Sequence, residues 1–562
     1  MRQVQVVLVA EADGTHRARV LDAGRDGPDL RVDDLPGWVA ATEREHRPRW
    51  VLTTAELYPA LLAAGVRVQR CHDMELTEAI LLAFAGEPGR PRNPAAAYAR
   101  LTTGPEPPDP GPPDGWLAER ANQPSLFEPD RRPHIPGVRQ VDVVAAVFAD
   151  QLRRIDATAH PDRLRLLVAA ESAGALAAAE LTHTGLPWRA DVHEKMLTDR
   201  LGPRPPSGGR PKVLEELAAE IAEALGSRSG GPVGAVNPDN PASVVRAFAR
   251  AGVEIPSTRA WVLREIDHPA IAPLLRYKEL SRIHVAHGWS WLETWVRDGR
   301  FRADYVVGGV VSGRWATRGG AGLQLPRLLR TAVRADPGWS LVVADAAQLE
   351  PRVLAALSGD RRLAEVSTSV DLYTSLASDA FAGDRGKAKI AMLSAMYGGT
   401  SGEAGPLLVL LRKRFPQAVS YVEEAASAGE QGRTVRSRLG RTSPPASEGR
   451  QEVMAAVDTD ERRSRQAARE WGRFTRNFVV QASAADWALT VLAILRLRLP
   501  RPAELVFFQH DEVLVHCPTD LAPIVSQVIA EAAAEATTLV FGTTGVRFPL
   551  EAVVVDCYAD AK

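Results

Sequence analysis

The sequence predicts an α+β protein of several domains, and three observations carry that prediction. Two apolar, β-branched runs, residues 341–344 and 505–508, lead into carboxylates at Asp345 and Asp511, about 165 positions apart. Each reads as a buried strand that ends in acid. The stretches before and between them carry helical periodicity. The first hundred or so residues alternate short β-like runs with Ala/Leu-rich helical pieces, the pattern of a small α/β domain. A chain of 562 residues has room for roughly three or four domains with large cores.

The elements follow in order. Residues 4–9 and 50–53 read as strands, and 55–64 and 76–84 as helices. From 103 to 137 the chain is dense in proline and glycine, with Pro107-Pro108-Asp109-Pro110-Gly111-Pro112-Pro113 at its heart, which predicts a linker or an irregular surface crossing. Helical periodicity returns at 141–155, 164–181, 213–225 and across 241–295, with a soft stretch at 203–209. Residues 301–311 read as strand. Beyond them come the Asp345 strand, helices, a helix over 385–397, a basic helical region, a helix through Gln481, a strand hairpin around His510-Asp511, one more helix and a last strand near 550–555. No internal repeat is present.

Composition narrows the class. Net charge is −1, so any surface for nucleic acid must be local. One such place stands out: residues 433–476 hold eleven arginines, no lysine and six acids in a chain that is otherwise slightly acidic. Lying between two carboxylate motifs, that surplus is the footprint of a phosphate backbone rather than of a solvated helix. Cys71, Cys517 and Cys557 are too few and too scattered for a disulfide framework or a thiolate zinc site, and suit a reducing cytoplasm. The apolar start, residues 4–9, is too short for a secretory segment, and no run approaches about 18 uninterrupted apolar residues, so no membrane span is expected.

The chemistry sits on the two acid motifs. Two aspartates on adjacent strands can hold two divalent cations side by side, the equipment of in-line nucleotidyl transfer. Between them, Arg385, Lys389 and Tyr397 are spaced by four and eight, so a helix stacks them on one face. A cationic helix face opposite a carboxylate pair suits a nucleoside triphosphate.

Asp345…Gln348-Leu349-Glu350-Pro351-Arg352, Arg385…Lys389…Tyr397-Gly398 and His510-Asp511-Glu512 resemble motifs A, B and C of the family A DNA polymerases, the DNA polymerase I group. Ser312-Gly313-Arg314…Leu323-Gln324, Asn477…Gln481-Ala482-Ser483-Ala484-Ala485-Asp486 and Tyr277-Lys278-Glu279-Leu280 resemble further segments of that family in the right order, over about residues 170–562. The resemblance implies a right-hand architecture: a thumb over 165–300, a palm over 301–384 and 475–562, and fingers over 385–474. It implies template-directed addition of deoxynucleotides to a primer 3′ end in replication or repair synthesis, with two Mg²⁺ ions for which Mn²⁺ can substitute. Primer-template DNA and deoxynucleoside triphosphates are the implied partners, with no membrane, for a monomeric cytoplasmic protein, nucleoid-associated in a bacterium.

Roles carry over position by position. Asp345 and Asp511 are the implied metal ligands, with Glu512 assisting or tuning, and Lys389 joins them in the catalytic set. Arg385, Lys389, Leu393, Tyr397, Gln348, Glu350 and Tyr373 match nucleotide-binding positions. Glu350 would exclude a 2′-hydroxyl by filling its space. Arg314, Gln324, Arg473, Asn477, Gln481 and His510 match positions that touch the minor groove or the terminal pair, where acceptors are nearly the same for every correct pair. The chain departs from the family pattern at Leu393, where an aromatic is usual, at Tyr373, where a histidine is usual, and at Ala346-Ala347, where a tyrosine-serine pair is usual. An active but slow or permissive enzyme is expected.

Residues 1–150 stand where the family carries an α/β, ribonuclease H-like 3′–5′ exonuclease domain, and Cys71-His72-Asp73-Met74-Glu75-Leu76 resembles one of its strand-helix junctions. Its metal cage is poorly matched: Glu11-Ala12-Asp13 is offset and reversed, Thr54 and Tyr58 stand where Asn and Asp are needed, and Pro136 and Asp142 are all that lie near the third motif. A scaffold without proofreading is expected, with no flap-nuclease domain ahead of Met1. Two rivals remain open: a DNA-binding repair accessory protein with weakened catalysis, and a metal-dependent nuclease working from the N-terminal domain, whether alone or as residual activity beside a polymerase.

Overall fold

The computed structural model describes residues 4–11, 13–22, 25–110, 133–206, 208–226, 236–318, 325–399, 404–455 and 461–561. Gln324 and most of the proline-rich stretch lie outside them.

The N-terminal domain is a five-stranded mixed sheet in the order Arg25–Val32, His16–Asp22, Gln5–Ala10, Arg49–Leu52, Arg70–Asp73. The first three are antiparallel neighbours, and the last two run parallel to Gln5–Ala10. Alternation along Gln5–Ala10 buries Val6 and Leu8 on one face and Val7 and Val9 on the other, so the strand feeds two cores. Helices Thr54–Ala63 and Met74–Phe84 match the sequence pattern within a residue or two. The hairpin His16–Asp22/Arg25–Val32 has no such pattern. It is rich in arginine and aspartate and forms the sheet's outer side, where charged residues are tolerated.

A separate helical core gathers Leu197, Leu214, Ile221, Phe248, Leu274, Tyr277 and Trp289, all within the stretch expected to be the thumb. Helix Pro161–Thr184 packs elsewhere. Its Leu176 joins the N-terminal core, and its Gly174 brings the backbone against Leu489 and Trp315 of the palm side.

The palm is a four-stranded antiparallel sheet in the order Glu504–Gln509, Glu512–Pro518, Trp339–Ala346, Leu550–Val555. Leu341, Val342, Val343 and Ala344 of Trp339–Ala346 are all buried, so both faces of this central strand are covered, which a continuous apolar run requires. Residues 301–311 are not one strand. Arg300–Phe301 and Tyr305–Val306 are two-residue strands, and Gly308, at φ 62°, breaks the extended backbone so that Val310 and Val311 emerge into solvent. Two helices, Arg462–Arg498 and Thr519–Phe541, are long and apolar enough to cross a membrane. The first has 83 % of its apolar window buried inside the protein, which is core packing; the second lays Val525, Ile529, Ala532, Ala536 and Val540 inward at helical spacing.

Two buried ion clusters fasten these parts. Arg441 donates to Glu171 at 2.7 Å and Asp486 at 2.9 Å, while Ser437 donates to the other oxygen of Asp486. Arg496 donates to both oxygens of Glu180 and to the Tyr58 hydroxyl, joining the long palm helix to the N-terminal domain. Each cluster leaves no carboxylate without a cation, as burial requires.

Candidate active site

The cleft is built on a hairpin. Gln509 pairs with Glu512, so His510 and Asp511 form the two-residue turn, and His510 takes a left-handed φ of 55°. Such a φ costs a non-glycine residue roughly 1–2 kcal/mol. Here it turns Asp511 toward the end of the neighbouring strand, whose Ala346 amide donates to the Asp511 carbonyl at 3.1 Å. Asp345 faces Glu512 across the ladder. Asp345 and Asp511 line one cleft of about 250 Å³ with Arg314, Gln348, Glu350, Tyr373 and others. Burial first, and the Asp345 carboxylate second, push Asp511 up to about 7. Two acids that disfavour each other's charge in a half-dry cleft are what a bound cation relieves.

Glu512 takes a different place. It is buried, accepts from the Tyr558 hydroxyl at 2.7 Å and lies 4.0 Å from Arg330, which also sits over the Tyr558 ring. It stands outside the cleft's lining, beside the hairpin that carries Asp511, with Oε2 held by the Tyr558 hydroxyl. Among the described residues no trio of His, Cys, Asp or Glu converges as a metal cage. An aspartate pair without a third protein ligand suits Mg²⁺, which keeps waters and takes the rest of its oxygens from substrate phosphates.

Gln348 is the second left-handed residue of the cleft, at φ 54°, directly before helix Leu349–Ser358. Its side-chain amide fixes it: Oε1 accepts from the Leu372 amide at 2.7 Å, and Nε2 donates to Asp371 at 3.1 Å. Asp371 in turn caps helix Leu372–Ala380 and accepts from Arg385 at 2.9 Å. Burial would raise the Asp371 carboxyl, but Arg385 and Thr374 overcome it and hold it at about 2. Beneath them Arg352, fully buried, donates to the carbonyls of Ala347, Ser367, Arg547, Ser369 and Val370 at 2.6–2.9 Å and forms no ion pair among the described residues.

Glu350, in the first turn of helix Leu349–Ser358, is shared. Arg314 donates to one oxygen at 2.5 Å, and the Tyr397 hydroxyl donates to the other. Tyr397 closes helix Arg385–Tyr397, so this carboxylate ties that helix to the palm. From the same helix Leu393 and Met396 face the cleft, while Arg385 and Lys389 lie exposed toward its outer end. The stacking expected from their spacing is present, but Arg385 is turned onto Asp371 and lies 5.6 Å over the Tyr373 ring. Tyr373 is buried, and burial followed by the Glu350 charge raises its hydroxyl to about 12.

The groove residues separate. Burial and the Arg314 charge lower the pKa of His510, whose Nδ1 is buried without a hydrogen-bond partner. Asn477 likewise keeps a buried Oδ1 unpartnered, and Gln481 reaches Tyr397. Arg473 is exposed, its stem packed where a Cβ on Gly398 would sit 2.8 Å away, so Gly398 is required by contact as well as by its φ of 73°. Gln324 falls outside the described residues. Sequence reasoning gave no role to Arg352, Asp371, Arg330 or Tyr558. The Asp371 cap was the one with a local signal, an Asp just ahead of a helical run.

In the N-terminal domain the acids meet arginines. Arg19 is buried and bridges Asp29 at 2.6 Å and Asp142 at 2.5 Å; Arg139 also pairs with both, and Glu11 accepts the Gln140 amide. Thr54 donates its amide to Asp73, and Tyr58 is spent on Glu180.

Fold and cleft together define a right-hand polymerase architecture, with an aspartate pair in the palm facing a fingers helix. A family model, DNA polymerase family A, matches residues 246–554, more than half of the chain, and the chain belongs to that family. Over 347 residues it is 26 % identical to DNA polymerase I of Chloroflexus aurantiacus, covering 54 % of this chain and 35 % of that one. A thermostable DNA polymerase I of Thermus filiformis is 28 % identical over 293 residues, 47 % of this chain and 34 % of its own. The chain thus spans about a third of the length of the curated relatives it matches. A solved structure, the POL domain of Pol1 from M. smegmatis in complex with DNA primer-template and dNTP, shares the fold at a TM-score of 0.69 and 18 % identity, over 99 % of this chain and 96 % of that one.

Proposed function

We propose that this chain is a template-directed DNA polymerase that extends a primer 3′ end. The observation that carries the reading is the placement of Asp345 and Asp511 in one cleft whose other wall is helix Arg385–Tyr397. The two aspartates would hold Mg²⁺, with Mn²⁺ as a substitute. When bound, two such ions would lower the pKa of the primer hydroxyl and neutralise the departing pyrophosphate. Arg385 and Lys389 supply the cationic end of the fingers helix; an incoming triphosphate takes Arg385 from Asp371, and Lys389 adds a point charge. Closing of that helix requires Tyr397 to leave Glu350, which frees the carboxylate to stand under the sugar and exclude a 2′-hydroxyl. Arg314, Arg473, Asn477, Gln481 and His510 would test pair geometry from the minor groove or at the terminal pair. Leu393 offers apolar contact without ring stacking, and Tyr373 a hydroxyl without charge, which supports a permissive enzyme.

The N-terminal domain is proposed as a scaffold without proofreading. Arg19 and Arg139 already neutralise Asp142, the acid nearest the third metal motif, together with Asp29.

Primer extension with defined DNA and Mg²⁺ tests the main reading. Asp345→Asn and Asp511→Asn should each reduce incorporation by about a thousandfold or more while DNA binding persists, since each removes charge stabilisation used in the transition state. Wild-type protein without metal-dependent incorporation would sink the proposal in favour of a DNA-binding accessory role.

A further inference from the structure

On the far side of Gly398 from the catalytic cleft lies a second cavity, of about 820 Å³, whose lining shares Arg473 alone with the groove residues of the polymerase reading. Arg412, Arg462, Arg465, Arg469, Arg473 and Arg476 line it, against two acids, Glu423 and Glu430. The acids are partly spent: Glu423 pairs with Arg412 and lies 4.0 Å from Arg476, whose Nη1 also donates to the Ala395 carbonyl at 2.8 Å. Five of the six arginines share one helix, Glu461–Arg498, at spacings of three and four residues, so they form a single row. Arg462, Arg465, Arg469 and Arg473 are exposed into it. The base is closed by a tight helix crossing. A Cβ on Gly472 would meet the Glu430 side chain at 2.7 Å and the Ala426 carbonyl at 2.9 Å, and Thr475 donates to the Ala425 carbonyl at 2.7 Å.

A cavity with a surplus of guanidinium groups attracts a polyanion, and planar N–H forks match phosphate oxygens. Its position selects which polyanion. The row starts at Arg473, beside the end of the fingers helix, and climbs away from the cleft. Eleven residues separate Arg473 from Arg462, which is ~16 Å of helix at 1.5 Å per residue. Phosphates of one strand lie ~3.4 Å apart along a duplex axis, so the row reaches a few nucleotides ahead of the site of synthesis. The closed base suits a strand terminus rather than a strand passing through. Resting on the polymerase reading, we propose that this cavity docks the 5′-phosphate of the strand downstream of a short gap, so that the fingers hold both sides of the gap.

The test uses duplexes with gaps of one to five nucleotides, bearing either a 5′-phosphate or a 5′-hydroxyl on the downstream strand, and an open primer-template. Dissociation constants and single-turnover insertion are measured on each. Wild-type protein should prefer the 5′-phosphate by about tenfold, the worth of one charge-assisted hydrogen bond. The exposed-residue variants Arg462→Gln/Arg469→Gln and Arg462→Ala/Arg465→Ala/Arg469→Ala should bring that preference to one. Equal binding of both ends by wild type overturns the inference. So does a variant that weakens open and gapped DNA alike with the phosphate preference intact, which would assign the row to the template overhang. A phosphate preference in binding without insertion on any substrate would leave the docking site standing and remove the polymerase reading.

Discussion

Arg352→Lys isolates what holds the floor of the nucleotide site. Arg352 is fully buried and satisfies five carbonyl oxygens from three separate stretches of chain, at Ala347, at Ser367, Ser369 and Val370, and at Arg547. Among the described residues no carboxylate pairs with it directly, Asp371 and Glu551 favour its charge only from a distance, and burial, the largest effect, lowers its pKa to about 10. Lysine keeps the charge but offers three donors from one point instead of a planar fork. At least two carbonyls then lose their partner in a dry place, at about 1–3 kcal/mol each, so a loss of about 3–4 kcal/mol is expected. For a unit the size of the palm and fingers that is a fall of about 6–16 °C in the unfolding transition. The effect has a functional face, because the carbonyls of Ser369 and Val370 immediately precede Asp371, which orients both Gln348 and Arg385. Calorimetry and steady-state nucleotide insertion on one preparation should show a lower Tm and a raised KM for the incoming nucleotide together. A lysine variant that melts within about a degree of wild type with KM unchanged would show that the carbonyl cluster is not what fixes this floor.

Three further expectations follow from the same physics. Glu350→Ala removes the partner of Arg314 and Tyr397 and empties the space under the sugar; the ratio of ribonucleotide to deoxynucleotide insertion should rise at least about tenfold, the equivalent of ~1.4 kcal/mol of lost discrimination, and an unchanged ratio refutes the role. His72 and His193 are buried and neutral, each with its pKa lowered from the usual 6.5 to about 4 by burial. As pH falls below about 6.5 the unfolded chain takes up protons that the folded chain refuses until about 4, so stability should drop across that window by at most about 3 kcal/mol per histidine. Urea titrations from pH 7 to 4 read the slope, and His72→Gln should flatten it. Degradation of a mismatched 3′ end should be absent with Mg²⁺ or Mn²⁺; activity that disappears on removing residues 1–150 would show that Arg19 and Arg139 do not displace the metals.

Much of the architecture was legible because it is written in local periodicity. The strand leading to Asp345 and the hairpin carrying Asp511 announce themselves as apolar, β-branched runs, and Arg385 to Tyr397 as a helix. The charged hairpin His16–Asp22/Arg25–Val32 does not, since at a sheet's outer side burial no longer demands alternation. Residues 301–311 mislead in the opposite sense: the apolar residues are there, but Gly308 and Gly309 let the backbone turn away. Glu512 adjoins Asp511 in the sequence, yet what orients its Oε2 is Tyr558, 46 positions later.

The chain itself determines which side chains are available and on what kind of element each sits, because strand and helix spacing are set by neighbours a few residues away. Tertiary structure alone decides what each charge faces. Whether Arg19 neutralises Asp142, Arg385 rests on Asp371, Arg352 gathers carbonyls rather than an acid, or a row of arginines closes around a cavity depends on partners tens to hundreds of residues distant. In a medium of low polarisability those encounters dominate the energy of an ionised group, and no local pattern encodes them.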